Sequence, residues 1–69
     1  MDAATVLRME MAKVKIRSAP ELAVRTGMKR STAYARTKHP ETMTLAELRA
    51  IVRATNMSNE QLIRLVREN

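Results

Sequence analysis

Arg30, Ser31, Tyr34 and Lys38 stand at spacings of three and four residues, which on a helix bring a guanidinium, a hydroxyl, a phenol and an ammonium onto one stripe. Such a stripe offers donors, cations and one aromatic, the equipment for meeting a polyanion. The surrounding charge points the same way. Residues 13 to 38 hold eight Lys or Arg (Lys13, Lys15, Arg17, Arg25, Lys29, Arg30, Arg36, Lys38) against one acid, Glu21, whereas residues 39 to 69 hold four of each sign. The net charge of +6 is therefore concentrated in one stretch, as expected of a face that meets phosphates. A merely solvated surface more often intersperses the signs. Tyr34, as the single aromatic of the chain, has a second reading as the largest side chain of the core.

Composition narrows the remaining chemistry. The 69 residues contain no Cys and one His, His39, so disulfides and Cys-based zinc sites are excluded and no metal or cofactor is implied. With no Gly-rich phosphate cradle and no paired carboxylates on one predicted face, an enzyme is not expected. A chain of this length makes one domain, 1–69, with a small core and no room for an effector-sensing domain, so no small-molecule effector is expected. No basic segment followed by an apolar run opens the chain, and no stretch of about 18 apolar residues occurs. The expected location is the cytoplasm, with no membrane partner.

The stripe needs elements to hold it. Ser18 can cap a helix, with Glu21 three residues on able to return a bond to the Ser18 amide as a capping box, and Pro20 falls in the first turn, where a missing amide costs little. Leu22 and Ala23 supply an apolar face. Gly27 then stops the helix, because glycine takes a left-handed position after a C-terminus without a Cβ penalty. The pattern predicts a helix over about 19–26, a turn at 27–28 and a second helix over about 29–38, with Met28, Ala33 and Thr37 facing inward. Lys29 stands where Ser or Thr usually caps, which is mildly unfavourable against the helix dipole unless a phosphate is near.

The order L-A-x-x-T-G-M-x-R-S-T across Leu22 to Thr32 resembles the helix-turn-helix of lambda-repressor-like (Xre/Cro type) regulators. The following P-E-T-x-T-L-x-E-L-R, Pro40 to Arg49, is most similar to small phage-encoded members. The resemblance runs from about Ser18 to Val66. It implies an all-α fold, a bundle of five short helices, and sequence-specific binding of double-stranded DNA in a bacterial host, with the second helix of the motif in the major groove. On that placement Arg30 and Lys29 reach guanine O6 and N7, and Ser31 and Tyr34 touch base edges, a thymine methyl or phosphate. Arg17, Arg25, Arg36, Lys38 and the amides around Thr44 are expected at phosphates. Where many relatives carry a phosphate-binding Gln, this chain has Ala19 and Pro20, so that anchor is absent and Arg17 or Arg25 must substitute. Relatives usually act as two-fold dimers on half-sites about 34 Å apart, so a homodimer on a palindromic operator is expected, a Cro-like phage transcriptional repressor.

The rest of the chain reads as scaffold. Asp2 can cap a first helix running to Lys15 or Ile16, with Leu7, Met11 and Val14 as its buried stripe. Met1, Val6 and Met9 are left over, either as core filling or as a subunit contact. Pro40 makes 38–43 a loop, in which His39 meets solvent or phosphate. Thr44 with Glu47, and Ser58 with Gln61, read as two further capping boxes. The first opens a helix with Leu45, Leu48 and Val52 as core, ending at Asn56-Met57, and the second opens a helix with Leu62, Leu65 and Val66 inward. Ile63 either completes the core or faces a partner chain, so helix one and helix five remain alternative dimer surfaces. Two other functions share these features: a small basic inhibitor of a host enzyme, since fold does not fix function, and an architectural or recombination factor that bends DNA.

Overall fold

Five α-helices account for the chain in the computed structural model, which describes residues 1–68: α1 (Ala3–Lys13), α2 (Ala19–Thr26), α3 (Arg30–Lys38), α4 (Leu45–Thr55) and α5 (Asn59–Arg67). A single 3-10 turn, Pro40–Thr42, joins α3 to α4, and no strand forms among the described residues. The all-α expectation holds, and the α2 bounds are those read from Ser18, Pro20 and Gly27.

Capping chemistry sets most helix starts. Asp2 accepts from the Thr5 amide at 2.8 Å and the Thr5 hydroxyl at 2.7 Å, bonds that hold its carboxyl below the usual range. Only Thr44 forms a complete capping box among the described residues: its Oγ1 accepts from the Glu47 amide at 3.1 Å while its own amide donates to Glu47 Oε1 at 2.9 Å. The box expected at Ser18 is half made. The Glu21 amide donates to Ser18 Oγ at 3.4 Å, but the Glu21 carboxylate accepts from the Arg17 amide, one residue further back, at 3.4 Å. Ser58 likewise accepts from the Gln61 amide at 3.2 Å without a returning bond.

Helix α1 stops at Lys13, two or three residues short of the expected end at Lys15 or Ile16. The Lys15 amide donates to Ala12 O and the Ile16 amide to Met11 O, the paired bonds of a Schellman ending, and Lys15 takes φ +62°. A lysine occupies the left-handed place where glycine is usual, so no residue type marks the boundary. Burial of Ile16 against Met11 supplies the compensation.

The core gathers Val6, Leu7, Met11, Leu22, Ile51 and Leu65 with Ile16, Met57 and the alanines Ala3, Ala23 and Ala33. α1 lies against α5, while α2 packs on both α3 and α4. Val6 is core filling, and Met1 and Met9 are exposed. Two expected core positions are not in the core: Leu45 is 61% exposed and Val66 64% exposed. In α4 the inward line passes through Ile51 and Thr55, with Leu48 and Val52 half-buried on its flanks, which leaves Leu45 outside at the first turn. In α5, Leu65 points in, Leu62 is half-buried, and Val66 and Ile63 face solvent. No helix among the described residues is long and apolar enough to cross a membrane.

Candidate nucleic-acid interface

The turn between α2 and α3 is built from three adjacent residues. Gly27 adopts φ +78°, and its amide donates to Ala23 O at 2.8 Å to close α2. A Cβ on Gly27 would meet nothing within 4 Å, so the requirement is purely conformational. Thr26, which sequence reasoning did not single out, donates its hydroxyl to Leu22 O at 2.7 Å and accepts from the Met28 amide at 3.3 Å. That one oxygen ties the end of α2 to the start of the next segment, and Met28 then tucks against the core.

α3 is held to the body by little apolar area. Ala33 is its one buried residue, and the absence of a larger side chain there lets the helix lie close to the core. Thr37 is half-buried and donates its hydroxyl to Ala33 O at 2.7 Å, which spares it an unsatisfied polar group. A polar tie supplements this contact. Arg36 Nε donates to Glu47 Oε1 at 2.7 Å, and its Nη1 reaches Thr42 Oγ1 at 3.3 Å, so the guanidinium bridges α3, the 3-10 turn and α4. The Arg36 guanidinium beside Glu47, helped by the Thr44 amide, holds the Glu47 carboxyl below its ordinary range.

These bonds already engage part of the donor set of two residues expected at phosphates. Arg36 is not a free cation awaiting phosphate: Nε and Nη1 are engaged within the chain. The Thr44 amide is likewise satisfied by Glu47, leaving the Thr44 hydroxyl proton as what that residue can offer outward. For Arg36 the acceptor lies eleven residues away and leaves no local signal, whereas the Thr44–Glu47 bond is the capping box that their three-residue spacing predicts.

The outward side of α3 keeps the remaining candidates together. Arg30, Ser31, Tyr34 and Lys38 are all exposed, as is Lys29 at the N-cap, which makes no side-chain cap bond. Tyr34 is 56% exposed, so it does not fill the core. The Lys38 ammonium lies 4.9 Å from the centre of the Tyr34 ring, a cation–π contact that orders both groups at the surface. Among the described residues Lys29, Arg30, Lys38, Arg25 and Arg17 have no carboxylate within salt-bridge distance. His39 is exposed and pairs loosely with Glu41 at 3.5 Å.

An exposed helix rich in unpaired donors, delivered by a glycine turn from a short preceding helix, is the geometry of groove-reading proteins. The family model for the Cro/C1-type HTH DNA-binding domain matches residues 6–68. This chain belongs to that family. The Cro/C1-type domain here takes in nearly all of the sequence, including α1 and α5, so the flanking helices are part of the DNA-binding unit. No curated protein and no solved structure gives a significant match.

Proposed function

We propose that the chain is a Cro-like transcriptional regulator of phage or prophage origin, which binds a palindromic operator as a homodimer in the bacterial cytoplasm and represses by occupying it. The observation that carries this reading is the exposed stripe of Arg30, Ser31, Tyr34 and Lys38 on α3, free of internal carboxylates. Arg30 and Lys29 are the guanine readers, since guanidinium and ammonium donors match O6 and N7 in the major groove. Ser31 and Tyr34 touch base edges, a thymine methyl or phosphate. Lys38, stacked on Tyr34, and the exposed Arg17 and Arg25 hold the backbone.

Arg36 has a positioning part in this scheme. Its bridge to Glu47 and Thr42 sets the angle of α3 on the body, and a helix held by one buried alanine depends on such a bridge. Support for the phage assignment is the resemblance of Pro40 to Arg49 to small phage-encoded members. Control would then come from protein concentration and operator occupancy.

Selection of bound sequences from a random DNA pool, combined with binding at several salt concentrations, tests the proposal. A regulator yields a two-fold-symmetric consensus with half-sites about 34 Å apart and a steep fall of affinity with salt. Steep salt dependence with no consensus would make the chain an architectural factor instead. Absence of both would leave an inhibitor acting on another protein.

A further inference from the structure

The chain has no Cys, so its oxidisable sulfur lies entirely in six methionines. Their surroundings divide them. Met11 and Met57 are buried, 3% and 8% exposed, whereas Met1 and Met9 stand out in solvent. Met28 and Met43 fall between, half-buried and packed against the core. The thioether of either is within reach of a small polar oxidant, and each fills apolar space that a polar group would not.

Met28 differs from Met43 in what depends on it. It follows Gly27 at the turn, with its amide donating to Thr26 Oγ1 at 3.3 Å, so the backbone holds the side chain where α2 meets α3. The space beside it is open, since a Cβ on Gly27 would meet nothing within 4 Å. α3 begins two residues later without a side-chain cap from Lys29, and it buries only Ala33. The contact of Met28 with the core is therefore the apolar hold nearest the helix turn that presents Arg30 and Ser31, while the far end of α3 has its own hold in the Arg36–Glu47 bridge. Met43 leads instead into α4, whose start is fixed by the complete Thr44–Glu47 capping box and whose body buries Ile51 and Thr55.

We propose that Met28 is a sulfoxidation site through which a hydroperoxide releases the chain from DNA. The inference rests on the DNA-binding reading above for its consequence, but not for its chemistry. A sulfur lone pair of Met28 attacks one oxygen of hydrogen peroxide; the O–O bond breaks as the S–O bond forms, and the departing hydroxide takes up the proton of the transferred oxygen to leave as water. The thioether is oxidised by two electrons and the peroxide is reduced by two. The sulfoxide is polar, carries a strong hydrogen-bond acceptor and prefers water to the packed face it occupied. Its withdrawal frees the start of α3, so the outward donors lose their fixed angle while the bundle keeps the core built on Leu7, Leu22 and Ile51. Because a sulfoxide can be reduced back to the thioether, the release is reversible.

Graded hydrogen peroxide on the whole chain, with peptide mass spectrometry to place each sulfoxide, tests the site. Melting temperature and affinity for the duplex selected from the random pool are read on the same samples. Met1 and Met9 should oxidise first and without effect, Met28 next, and Met11 and Met57 last. As Met28 converts, affinity should fall about tenfold and Tm by about 5 °C, and methionine sulfoxide reductases for both epimers should restore both. Met28→Leu, compared with its own untreated sample, should lose this response, whereas Met9→Leu and Met43→Leu should keep it. Met28→Gln, which places a polar amide of similar length there, should show the lowered affinity without peroxide. A Met28 that stays unoxidised until Met11 and Met57 react, an affinity that survives full conversion of Met28, or a response removed by Met43→Leu instead of Met28→Leu would each overturn the proposal. Melting temperature keeps the two ideas apart. A chain that ignores DNA yet softens as Met28 converts supports the site while removing the regulatory reading; a chain that binds DNA equally well with Met28 as thioether or sulfoxide does the reverse.

Discussion

The α2–α3 pair and the α4–α5 pair are both short helices joined through a left-handed residue, Gly27 in one and Asn56 in the other, yet they bring opposite chemistry to the surface. α3 buries one alanine and turns Arg30, Ser31, Tyr34 and Lys38 outward, whereas α4 and α5 bury Ile51 and Leu65 and still leave Leu45, Ile63 and Val66 outside. The contrast teaches that burial alone does not place α3. α3 is located by its turn, by a close approach at Ala33 and by the Arg36–Glu47 bridge, while α4 is located by the core and can present surplus aliphatic surface.

Breaking the shared core should abolish the contrast altogether. Ile51 has no exposed surface, and Ile51→Ala should cost about 2–5 kcal/mol. A domain of this size has only about 3–10 kcal/mol in hand, so both surfaces should be lost together in denaturant titrations. Arg30→Ala separates the regions instead: about 1–3 kcal/mol of specific DNA affinity should disappear, with relaxed preference at one base pair and no change in melting temperature. If random DNA loses as much as the selected site, Arg30 is a backbone contact.

Gly27→Ala probes the turn without touching either surface. Because a Cβ there meets no neighbour, the cost is that of a left-handed alanine, about 1 kcal/mol in stability, and Gly27→Asn should cost less. Lys38→Ala should have a smaller effect, weakening all DNA sequences alike and reducing the salt slope by about one.

Acid gives a fifth probe, aimed at the bridge. Glu47 has a folded pKa below its ordinary 4.5, chiefly because Arg36 donates to it, so the native state binds this proton less readily than the unfolded chain does. The contribution is present above pH 4.5 and fades as pH falls through the lowered folded value. In Glu47→Gln that part of the acid dependence should vanish, measured as stability against pH, and DNA affinity should fall at neutral pH because Arg36 loses its charged partner. Unchanged affinity would show that α3 is held by Ala33 and the turn alone.

Local signals account for what was legible in advance. The bounds of α2 follow from Ser18, Pro20 and Gly27, each of which acts within one turn of its own position. The end of α1 was not legible, because Lys15 takes a conformation its side chain does not advertise. Helical periodicity in α4 offered the line through Leu45, Leu48 and Val52, but the neighbouring line through Ile51 and Thr55 is the one that faces inward. Two overlapping apolar lines on one helix differ only in what packs against them. The same limit applies to Arg36, whose acceptor lies on another helix.

Residue type and spacing alone determined the helix starts, the glycine stop, the concentration of positive charge and the one-sided stripe on α3, because caps, turns and i, i+4 neighbours act within a few residues. Only the packed structure decided which aliphatic side chains stay outside, that Tyr34 is a surface group, and that Arg36 is already engaged by Glu47. Those outcomes depend on contacts between helices, where solvent exclusion and a specific acceptor outweigh any local preference.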